Sequence, residues 1–280
     1  MATFTDDGIV LRRVNYAEAD RVLTVLTREH GKLGVIARGV RKAGSRLAPH
    51  TDLFAQSRVQ LATGRGQLRT LTQAQLSGPP PRLDDVRRST CAALCAEVAD
   101  RVLEADHPLD EGIFELVVSA IEGCADPLRD PRTAVAWFVR RMVDRLGYAP
   151  ELHVCANCAA PLPESPAVFS AVAGGLLCRS CAPHDLGAVP CSVRAIKVLR
   201  VIAADQAEVY RRLRLDPETV AVLEEIAERE LAQHLDRRLR SLDVLRSLGP
   251  APVAQTPFPA PREPVPGTPE VAVTQRPAPG

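Results

Sequence analysis

Short apolar stretches with strand-like patterning fill the beginning of the chain. Five of them are separated by polar or glycine-containing segments: residues 9–11, 21–27, 32–38, 54–61 and 67–76. The last two alternate apolar and polar residues, as a strand with one buried face does. Arg28-Glu-His-Gly31 has the length and the glycine of a hairpin turn between the second and third stretches. Five short antiparallel strands without a helical period predict a small barrel. The OB fold is the leading candidate and an SH3-like barrel is the alternative.

A change of period after Pro79-Pro80-Pro81 predicts helices in the rest of the chain. Three prolines continue neither a strand nor a helix interior, so they end the predicted barrel. Apolar residues then recur at steps of three and four, which is the spacing of one helix face. One predicted helix has Asp130 as its N-cap, Pro131 at its first position and Gly147 at its end. The last predicted helix has Asp216 as its N-cap. The apolar positions of the predicted helices fall within residues 83–103, 113–121, 135–146, 193–201 and 220–235.

Two Cys-x-x-Cys pairs stand between the predicted helices, Cys155 with Cys158 and Cys178 with Cys181, and nineteen residues separate the pairs. This spacing is typical of a structural zinc ribbon, in which each pair gives two thiolates to one tetrahedral ion. The segment between the pairs is rich in Pro and Gly and has little apolar surface, so metal binding would supply its folding free energy. We therefore predict one structural Zn²⁺ per chain, held by these four cysteines.

Other uses of these thiols stay open at the level of sequence. The two pairs also fit two disulfides or a redox-active dithiol. His153 or His184, which flank the pairs, could replace one cysteine as a ligand. The remaining cysteines lie among apolar helical positions, where a free thiol behaves as a small hydrophobic group, and we predict that they are core residues: Cys91, Cys95, Cys124 and Cys191.

These patterns predict a multi-domain α+β fold, in which an N-terminal OB-fold β-barrel is followed by an α-helical domain with an inserted four-cysteine zinc ribbon. The last part of the chain is rich in proline and has scarcely any periodic apolar residues, so we expect a disordered tail there. The predicted boundaries are residues 1–80 for the barrel, 81–150 and 185–248 for the two parts of the helical domain, 151–184 for the ribbon and 249–280 for the tail.

Charge is distributed unevenly along the chain, although the net charge is only +1. Residues 1–80 hold 12 Lys and Arg against 6 Asp and Glu, a balance of +6, whereas the other 200 residues hold 23 against 28, a balance of −5. An excess of cations in one domain favours an anionic partner, and nucleic acid is the commonest one; a solvated charged surface is the alternative. No apolar run approaches the length of about 18 residues that a membrane span needs. The N-terminus also lacks a signal-peptide pattern, so we expect a cytoplasmic protein with reduced thiols and no membrane partner.

The strongest candidate for nucleic-acid binding is the loop after the third predicted strand, Arg38-Gly-Val-Arg-Lys-Ala-Gly-Ser-Arg46. Glycines between basic residues let the backbone approach phosphates, while each cation releases condensed counterions. OB-like barrels commonly bind single strands through one face and its loops. Because aromatic residues are few in this domain, we expect contact with the nucleic-acid backbone more than base stacking. The candidate phosphate contacts are Arg38, Arg41, Lys42 and Arg46 in the loop, with Lys32 and Arg65 elsewhere in the domain.

Catalytic signatures are absent from the sequence, which has no Walker A loop, no His-Glu-x-x-His and no zinc-deaminase pattern. The adjacent acidic pairs Asp84-Asp85 and Glu224-Glu225 point in different directions on their helices and make a poor magnesium site. We therefore predict a binding protein, not an enzyme. One rival function is a zinc-ribbon transcription or translation factor, which would prefer RNA to DNA. The other is a metal-dependent nuclease, which would degrade DNA in the presence of Mg²⁺.

Several strings of residues resemble the RecO family, the recombination mediators of bacterial DNA repair. The resemblance covers nearly the whole chain, to about Leu248. Four strings look like the barrel of that family, and two look like the residues that lead into its zinc-binding pairs. The strings are Gly8-Ile-Val-Leu-Arg12, Tyr16-Ala-Glu-Ala-Asp20, Leu26-Thr-Arg-Glu-His-Gly-Lys32, Ala37-Arg-Gly-Val-Arg-Lys-Ala-Gly-Ser-Arg46, Leu146-Gly-Tyr-Ala-Pro-Glu-Leu152 and Ala173-Gly-Gly-Leu-Leu-Cys178.

This resemblance implies both a fold and a function. The fold is an OB domain followed by a helical domain that carries a zinc ribbon. The function is binding of single- and double-stranded DNA, annealing of complementary strands without ATP, and work with RecR and single-stranded DNA-binding protein to load RecA, in a nucleoid-associated protein. The chain departs from the common pattern in its proline-rich tail. Some family members have lost ribbon cysteines, so the resemblance implies that the metal is a fold element.

Protein partners are expected on the helical domain, whose negative balance repels phosphate. Arg194, Lys197 and Arg200 stand three residues apart along one predicted helix, and apolar Ile196 and Leu199 stand beside them. A short acidic tail that ends in an apolar residue, such as that of bacterial single-stranded DNA-binding protein, needs a cationic rim and a hydrophobic slot. We predict this helix as a candidate docking surface. The alternative is that the three cations are solvent-facing charges of an ordinary amphipathic helix.

Overall fold

The computed structural model of the chain describes residues 2–63, 66–235 and 238–249. The predicted tail, residues 249–280, lies almost entirely outside the described residues, so its predicted disorder stays a prediction.

The first five strands form a closed barrel. Their bounds are β1 Thr3–Tyr16, β2 Asp20–Thr27, β3 Gly31–Ala37, β4 Gln56–Ala62 and β5 Arg69–Leu76. Around the barrel the order is β1-β2-β3-β5-β4. The long strand β1 pairs with β4 through its first half and with β2 through its second half, and a bulge between Val10 and Arg12 bends it between these neighbours. The predicted five-strand barrel and its hairpin turn before Gly31 are confirmed, but β3 and β5 pair in parallel and not in the expected antiparallel sense.

Seven helices follow within the described residues. They are α1 Val86–Val102, α2 Ile113–Ala125, α3 Pro131–Arg145, α4 Val193–Ala203, α5 Ala207–Arg212, α6 Pro217–His234 and α7 Arg240–Ser247. The predicted N-caps are confirmed, because Asp130 accepts the N–H of Arg132 at the start of α3 and Asp216 accepts the N–H of Thr219 at the start of α6. The sequence pattern does not predict α5 and α7, which span 6 and 8 residues and are too short to show a helical period. Among the described residues, no helix has the length and hydropathy needed to cross a membrane.

Helix α3 lies at the centre of the helical domain, between two apolar clusters. Phe138 and Val139 belong to the cluster that includes residues of α1 and α2. Ala136 and Trp137, next to them in sequence, belong to the cluster that includes residues of α4. A helix that is buried on most of its circumference is a core helix. Its buried cations therefore need acidic partners inside the domain.

The ribbon is built on a second, three-stranded sheet. Its strands are β6 Ala167–Ser170, β7 Gly175–Leu177 and β8 Val189–Cys191, in the order β7-β6-β8. Phe169 of β6 and Leu176 of β7 are buried in the same cluster as α4, so the sheet is anchored to the helical domain. The predicted fold class is confirmed: a barrel is followed by a helical domain with an inserted four-cysteine ribbon.

The barrel packs tightly against the helices. Ile9, Leu26 and Phe54 of the barrel lie in one apolar cluster with residues of α1 and α2. Gly31, at φ +75°, approaches the backbone carbonyl of His107 so closely that a Cβ at this position would overlap it. The turn between β2 and β3 is thereby fixed against the helical domain. The opposite end of β3, where the basic loop begins, is open to solvent.

Candidate metal centre and nucleic-acid interface

The four predicted metal ligands come together beside the ribbon sheet. Their Sγ atoms all lie within 4.8 Å of one another, and those of Cys158 and Cys178 are 3.8 Å apart. Four sulfurs arranged as a tetrahedron around a zinc ion, at a metal–sulfur distance of about 2.3 Å, stand about 3.8 Å from each other. The arrangement of Cys155, Cys158, Cys178 and Cys181 therefore fits a tetrahedral metal ion.

Each cysteine pair lies in a tight turn that aims both sulfurs the same way. In the first turn the N–H of Ala159 donates to the carbonyl of Cys155 at 2.8 Å. In the second, directly after β7, the N–H of Cys181 donates to the carbonyl of Cys178 at 3.0 Å. The apolar cluster around the sulfurs is small: among the described residues, Leu177 is its one buried aliphatic side chain. Such a small cluster needs the metal for its stability.

Hydrogen bonds favour the thiolate form that a metal ligand needs at Cys155. At Cys181 the Asn157 amide lowers the pKa of the thiol, but burial and hydrogen bonds with the other three cysteines outweigh it and raise this pKa to about 11. The backbone N–H of Cys178 donates to Sγ of Cys155 at 3.3 Å, and the side-chain amide of Asn157 donates to Sγ of Cys181 at 3.3 Å. Burial raises the pKa of the Cys155 thiol, but N–H donors from Cys178, Cys158 and Asn157 outweigh burial and lower this pKa to about 6. Cys155 is therefore mostly a thiolate at neutral pH.

Two of the alternative uses of the thiols, disulfides and a histidine ligand, are not found among the described residues. The cluster found among the described residues consists of cysteines, and His153 and His184 are exposed side chains outside it. All eight cysteines are free thiols. The predicted core role of the other four is confirmed, because each of them is buried: Cys91, Cys95, Cys124 and Cys191.

The basic loop is anchored at its backbone and exposed at its charges. The Asp20 carboxylate accepts the N–H of Gly39 at 2.8 Å, the N–H of Arg41 donates to the carbonyl of Ala19 at 2.9 Å, and Val40 is buried in the barrel core. These contacts hold the loop against the turn between β1 and β2. The four predicted phosphate contacts all have exposed side chains: Arg38, Arg41, Lys42 and Arg46.

Of the two other predicted phosphate contacts in the barrel, only Lys32 lies among the described residues, and it does not join this loop. The side chain of Lys32 is only 12% exposed, and its ammonium lies 3.4 Å from the Asp100 carboxylate of α1. Lys32 therefore fastens the barrel to the helical domain, and we leave it out of the proposed DNA-binding set. Arg65 lies outside the described residues.

The three cations of α4 have partners within the chain. Arg194 pairs with Asp216 at 3.0 Å, Lys197 pairs with Glu164 at 3.1 Å, and Arg200 donates to the carbonyl of Leu152 at 2.9 Å. Their apolar neighbours Ile196 and Leu199 are 5% and 1% exposed, because they pack in the core. This face therefore lacks the hydrophobic slot that an acidic tail with an apolar end requires.

A second basic cluster, which the sequence pattern does not single out, lies at the root of the loop. Arg13 of β1 and Arg21 of β2 both bind the carboxylate of Asp52, the second at 3.1 Å. Arg21 also donates to the hydroxyl of Thr51 at 2.7 Å. The strand register could have revealed part of this cluster, because Arg21 pairs with Ala37, the residue before the loop.

A cavity of about 300 Å³ opens between α2, α3 and α5. Its walls include the apolar side chains of Leu116, Ala134 and Trp137. Four cations also line it: Arg129, Arg141, Arg145 and Arg211. Two carboxylates, Glu115 and Asp205, line it as well, and Arg141 pairs with Asp205 at 2.8 Å. Cations outnumber carboxylates around the cavity, and its apolar floor is what the α4 face lacks.

Comparison with known proteins matches both parts of the chain to one family. Residues 1–80 match the family model described as Recombination protein O N terminal, and residues 83–243 match the one described as Recombination protein O C terminal. A DNA repair protein RecO from Roseiflexus sp. (strain RS-1) is 35% identical over 90% of this chain and 91% of its own length. The protein of the same name from Symbiobacterium thermophilum is 31% identical over 88% of this chain and 99% of its own length. A third protein of this name, from Anaeromyxobacter sp. (strain K), is 34% identical over 87% of this chain and 96% of its own length. With the barrel, the helical domain and the four-cysteine ribbon, these matches show that the chain belongs to the RecO family of DNA repair proteins.

Proposed function

We propose that this protein is a recombination mediator that binds single- and double-stranded DNA through its barrel and anneals complementary strands without ATP. With RecR, it helps to load RecA onto DNA coated by single-stranded DNA-binding protein. The observation that carries the proposal is the anchored loop with four exposed cations on a closed barrel. Barrels of this kind bind nucleic acid through one face and its loops.

Annealing by such a surface needs positioning and charge neutralisation but no catalytic group. Two complementary strands repel each other through their phosphates, and cations bound along one strand lower that repulsion by displacing condensed counterions. Base pairing then supplies the free energy of the reaction. The loop contacts the backbone and leaves the bases free, so sequence preference is weak. The protein then acts as a binding mediator and uses no catalytic residue.

We propose that the four-cysteine cluster holds one structural Zn²⁺ per chain. Thiolate ligands in a tetrahedral arrangement suit Zn²⁺, and four protein ligands leave no open position for a substrate. When bound, the ion supplies the crosslink that keeps the two turns together. Cys155, Cys158, Cys178 and Cys181 serve the fold of the ribbon, which lies in the helical domain and not in the barrel.

We further propose that the helical domain receives the acidic tail of single-stranded DNA-binding protein in the cavity between α2, α3 and α5. The apolar end of the tail would lie against Trp137 and Leu116, and its carboxylates would face cations such as Arg129 and Arg211. The α4 cations remain the alternative site. In this proposal the two domains have different partners: the barrel binds DNA and the helical domain binds protein.

A matched pair of charge reversals on α5 tests this docking site. Arg211→Glu changes a residue that lines the cavity, whereas Arg212→Glu changes the next residue of the same helix, which does not line it. We titrate a tail peptide into each variant and expect the affinity for the peptide to fall for Arg211→Glu alone. Equal affinities for the two variants, together with loss of binding when Arg194, Lys197 and Arg200 become alanine, would return the site to α4.

Strand annealing without nucleotide, with and without single-stranded DNA-binding protein, tests the central proposal. The variant replaces the four loop cations with alanine. Its control replaces four exposed cations of the ribbon and helical domain, so that the net charge falls equally: Arg179, Arg212, Arg214 and Arg229. Each phosphate contact with single-stranded DNA contributes about 0.7 to the dependence of log affinity on log salt concentration. The loop variant should therefore lose up to about 3 from this slope and most of its annealing rate, while the control keeps both.

Three results would contradict the proposal. Wild-type affinity and slope in the loop variant would remove the loop from the DNA site. A preference for RNA over DNA of equal length would favour a transcription or translation factor. Loss of labelled DNA with Mg²⁺ would favour a nuclease.

A further inference from the structure

The cluster of Arg13, Arg21, Thr51 and Asp52 adjoins the basic loop at both of its ends. Arg21 pairs in the sheet with Ala37, which directly precedes the loop. Thr51 ends the 3-10 turn Ala48–Thr51 that follows the loop, and Asp52 comes next. Arg13 lies on the neighbouring strand β1, where it pairs with Leu23. Strand pairing therefore places Arg13 and Arg21 on the β1–β2 hairpin, beside the strand from which the loop begins.

A single carboxylate oxygen binds both of these guanidinium groups. Oδ1 of Asp52 accepts hydrogen bonds from Nη1 of Arg13 and, at 3.1 Å, from Nη1 of Arg21. Arg21 also binds the Thr51 hydroxyl at 2.7 Å. The Nε–H of Arg21 is buried and has no hydrogen-bond partner among the described residues. The Thr51 hydroxyl donates its own proton to the carbonyl of Ala48 at 2.8 Å, so it orients Arg21 and does not face the anion. Two arginines around one anionic oxygen form the kind of site that binds phosphate.

The carboxylate is easy to displace. The side chain of Asp52 is 58% exposed and that of Arg13 is 39% exposed, so water and anions reach this pair from outside, whereas Arg21 is only 19% exposed and forms the inner side of the site. Exposed ion pairs of this kind contribute little to folding stability. A phosphodiester offers two charged oxygens that can each accept from a guanidinium, whereas Asp52 uses one oxygen for both arginines.

We propose that Arg13 and Arg21, the latter oriented by Thr51, form a second phosphate site next to the basic loop, and that Asp52 occupies it as an internal competitor until a DNA phosphate takes its place. This inference rests on the proposed function, because it assumes that the loop binds DNA. It adds two arginines to the DNA-binding surface, and it makes Asp52 a group that lowers the affinity of that surface for DNA. DNA that contacts only the loop leaves Asp52 in place, whereas DNA that crosses the hairpin displaces it.

A purely structural role for Asp52 makes the opposite prediction. If Asp52 served to pin the end of the loop to the hairpin, its neutralisation would loosen the loop and weaken DNA binding. If Asp52 competes with phosphate, its neutralisation strengthens binding. Asp52→Asn separates these cases, since Asn keeps the shape and a hydrogen-bond acceptor but loses the charge.

The experiment measures the affinity of the full-length protein for a single-stranded oligonucleotide at several salt concentrations. The control is Glu29→Gln, which makes the same change of net charge on the turn at the opposite end of β3. We expect Asp52→Asn to bind up to about fivefold more tightly at low salt, as the release of an exposed ion pair allows. Its salt slope should steepen by about 0.7, the contribution of one added phosphate contact. Glu29→Gln should change neither quantity to this extent.

Arg13→Ala supplies a second readout at a half-exposed residue whose replacement leaves the core intact. In the Asp52→Asn background it should lower the salt slope by about 0.7 and cancel the gain in affinity, whereas in the wild type, where Asp52 still competes for the site, it should change the slope less. Thermal unfolding of each variant shows that it is folded. Asp52→Asn and Glu29→Gln with equal affinities, while the loop variant loses binding, would overturn this inference and leave the proposed function standing. A wild type whose binding does not depend on salt or on the loop would overturn the proposed function instead.

Discussion

The ion pair between Arg140 of α3 and Glu230 of α6 offers the sharpest test of how the helical domain is held together. Both side chains are almost inaccessible, at 3% and 2% exposure, and Nη1 of Arg140 contacts Oε1 of Glu230 directly. Arg140 also binds Asp144 at 2.7 Å and the carbonyl of Tyr148 at 2.8 Å. Burial holds the pKa of Arg140 below its usual value, although the Asp144 carboxylate opposes this effect. The guanidinium is therefore buried and depends on its acidic partners.

Glu230→Gln removes one of the two carboxylates while keeping the shape of the side chain. Breaking a buried pair by removing one partner costs about 3–5 kcal/mol. Because Asp144 remains beside Arg140, we expect a cost of about 3 kcal/mol, at the lower end of this range. That is a large part of the total stability of about 5–15 kcal/mol that globular domains have. The control is Glu225→Gln on the same helix, whose side chain is 51% exposed and pairs with Arg229 on the surface. It should cost less than about 0.5 kcal/mol.

Urea unfolding followed by the fluorescence of Trp137, the single tryptophan of the chain, measures the loss. Trp137 lies in the same helix as Arg140, so it reports on this domain. With a slope of about 2–3 kcal/mol per molar urea, the midpoint should fall by about 1–1.5 M for Glu230→Gln. The double variant Arg140→Met with Glu230→Leu should recover most of the loss, because an apolar pair of similar volume needs no desolvation of charge. Equal midpoints for Glu225→Gln and Glu230→Gln would refute the reasoning.

Three further outcomes follow from the structure. Cys178→Ser should lower bound zinc well below one ion per chain and lower the unfolding temperature before it changes DNA affinity; metal analysis of reduced wild-type protein that finds no zinc would refute the assignment. Gly31→Ala should destabilise the protein far more than Gly44→Ala, because both have positive φ but only at Gly31 does an added Cβ meet a backbone carbonyl; similar unfolding temperatures would contradict this close approach. Asp216→Ala should cost about 1 kcal/mol at neutral pH through loss of the α6 N-cap. A backbone N–H holds the Asp216 pKa below its ordinary 3.8, so its contribution is present above that pH and is lost as the pH falls through the lower, folded-state value. The deficit of this variant should therefore shrink in acid, and a deficit that grows would contradict the capping role.

The sequence by itself determined the features that depend on neighbouring residues. The period of two predicted the barrel strands, and the period of three to four predicted the longer helices, because each pattern records which face of a local element is buried. Asp130 and Asp216 could be recognised as caps because a cap bonds to an N–H two or three residues away. The two Cys-x-x-Cys pairs revealed the ribbon because each pair supplies its two ligands from a single turn.

Only the tertiary structure decided which charges are free to bind a partner. Lys32 and Arg41 look alike in the sequence, but Lys32 meets Asp100, 68 residues away, while the side chain of Arg41 stays exposed. Arg13 and Arg21 became a cluster with Asp52 because strand pairing brings β1 and β2 together, and Asp52 lies 39 and 31 residues further along the chain. The energy of a charged group depends on the charges and the solvent within a few ångströms of it. Folding sets those distances, and no local pattern of residues records them.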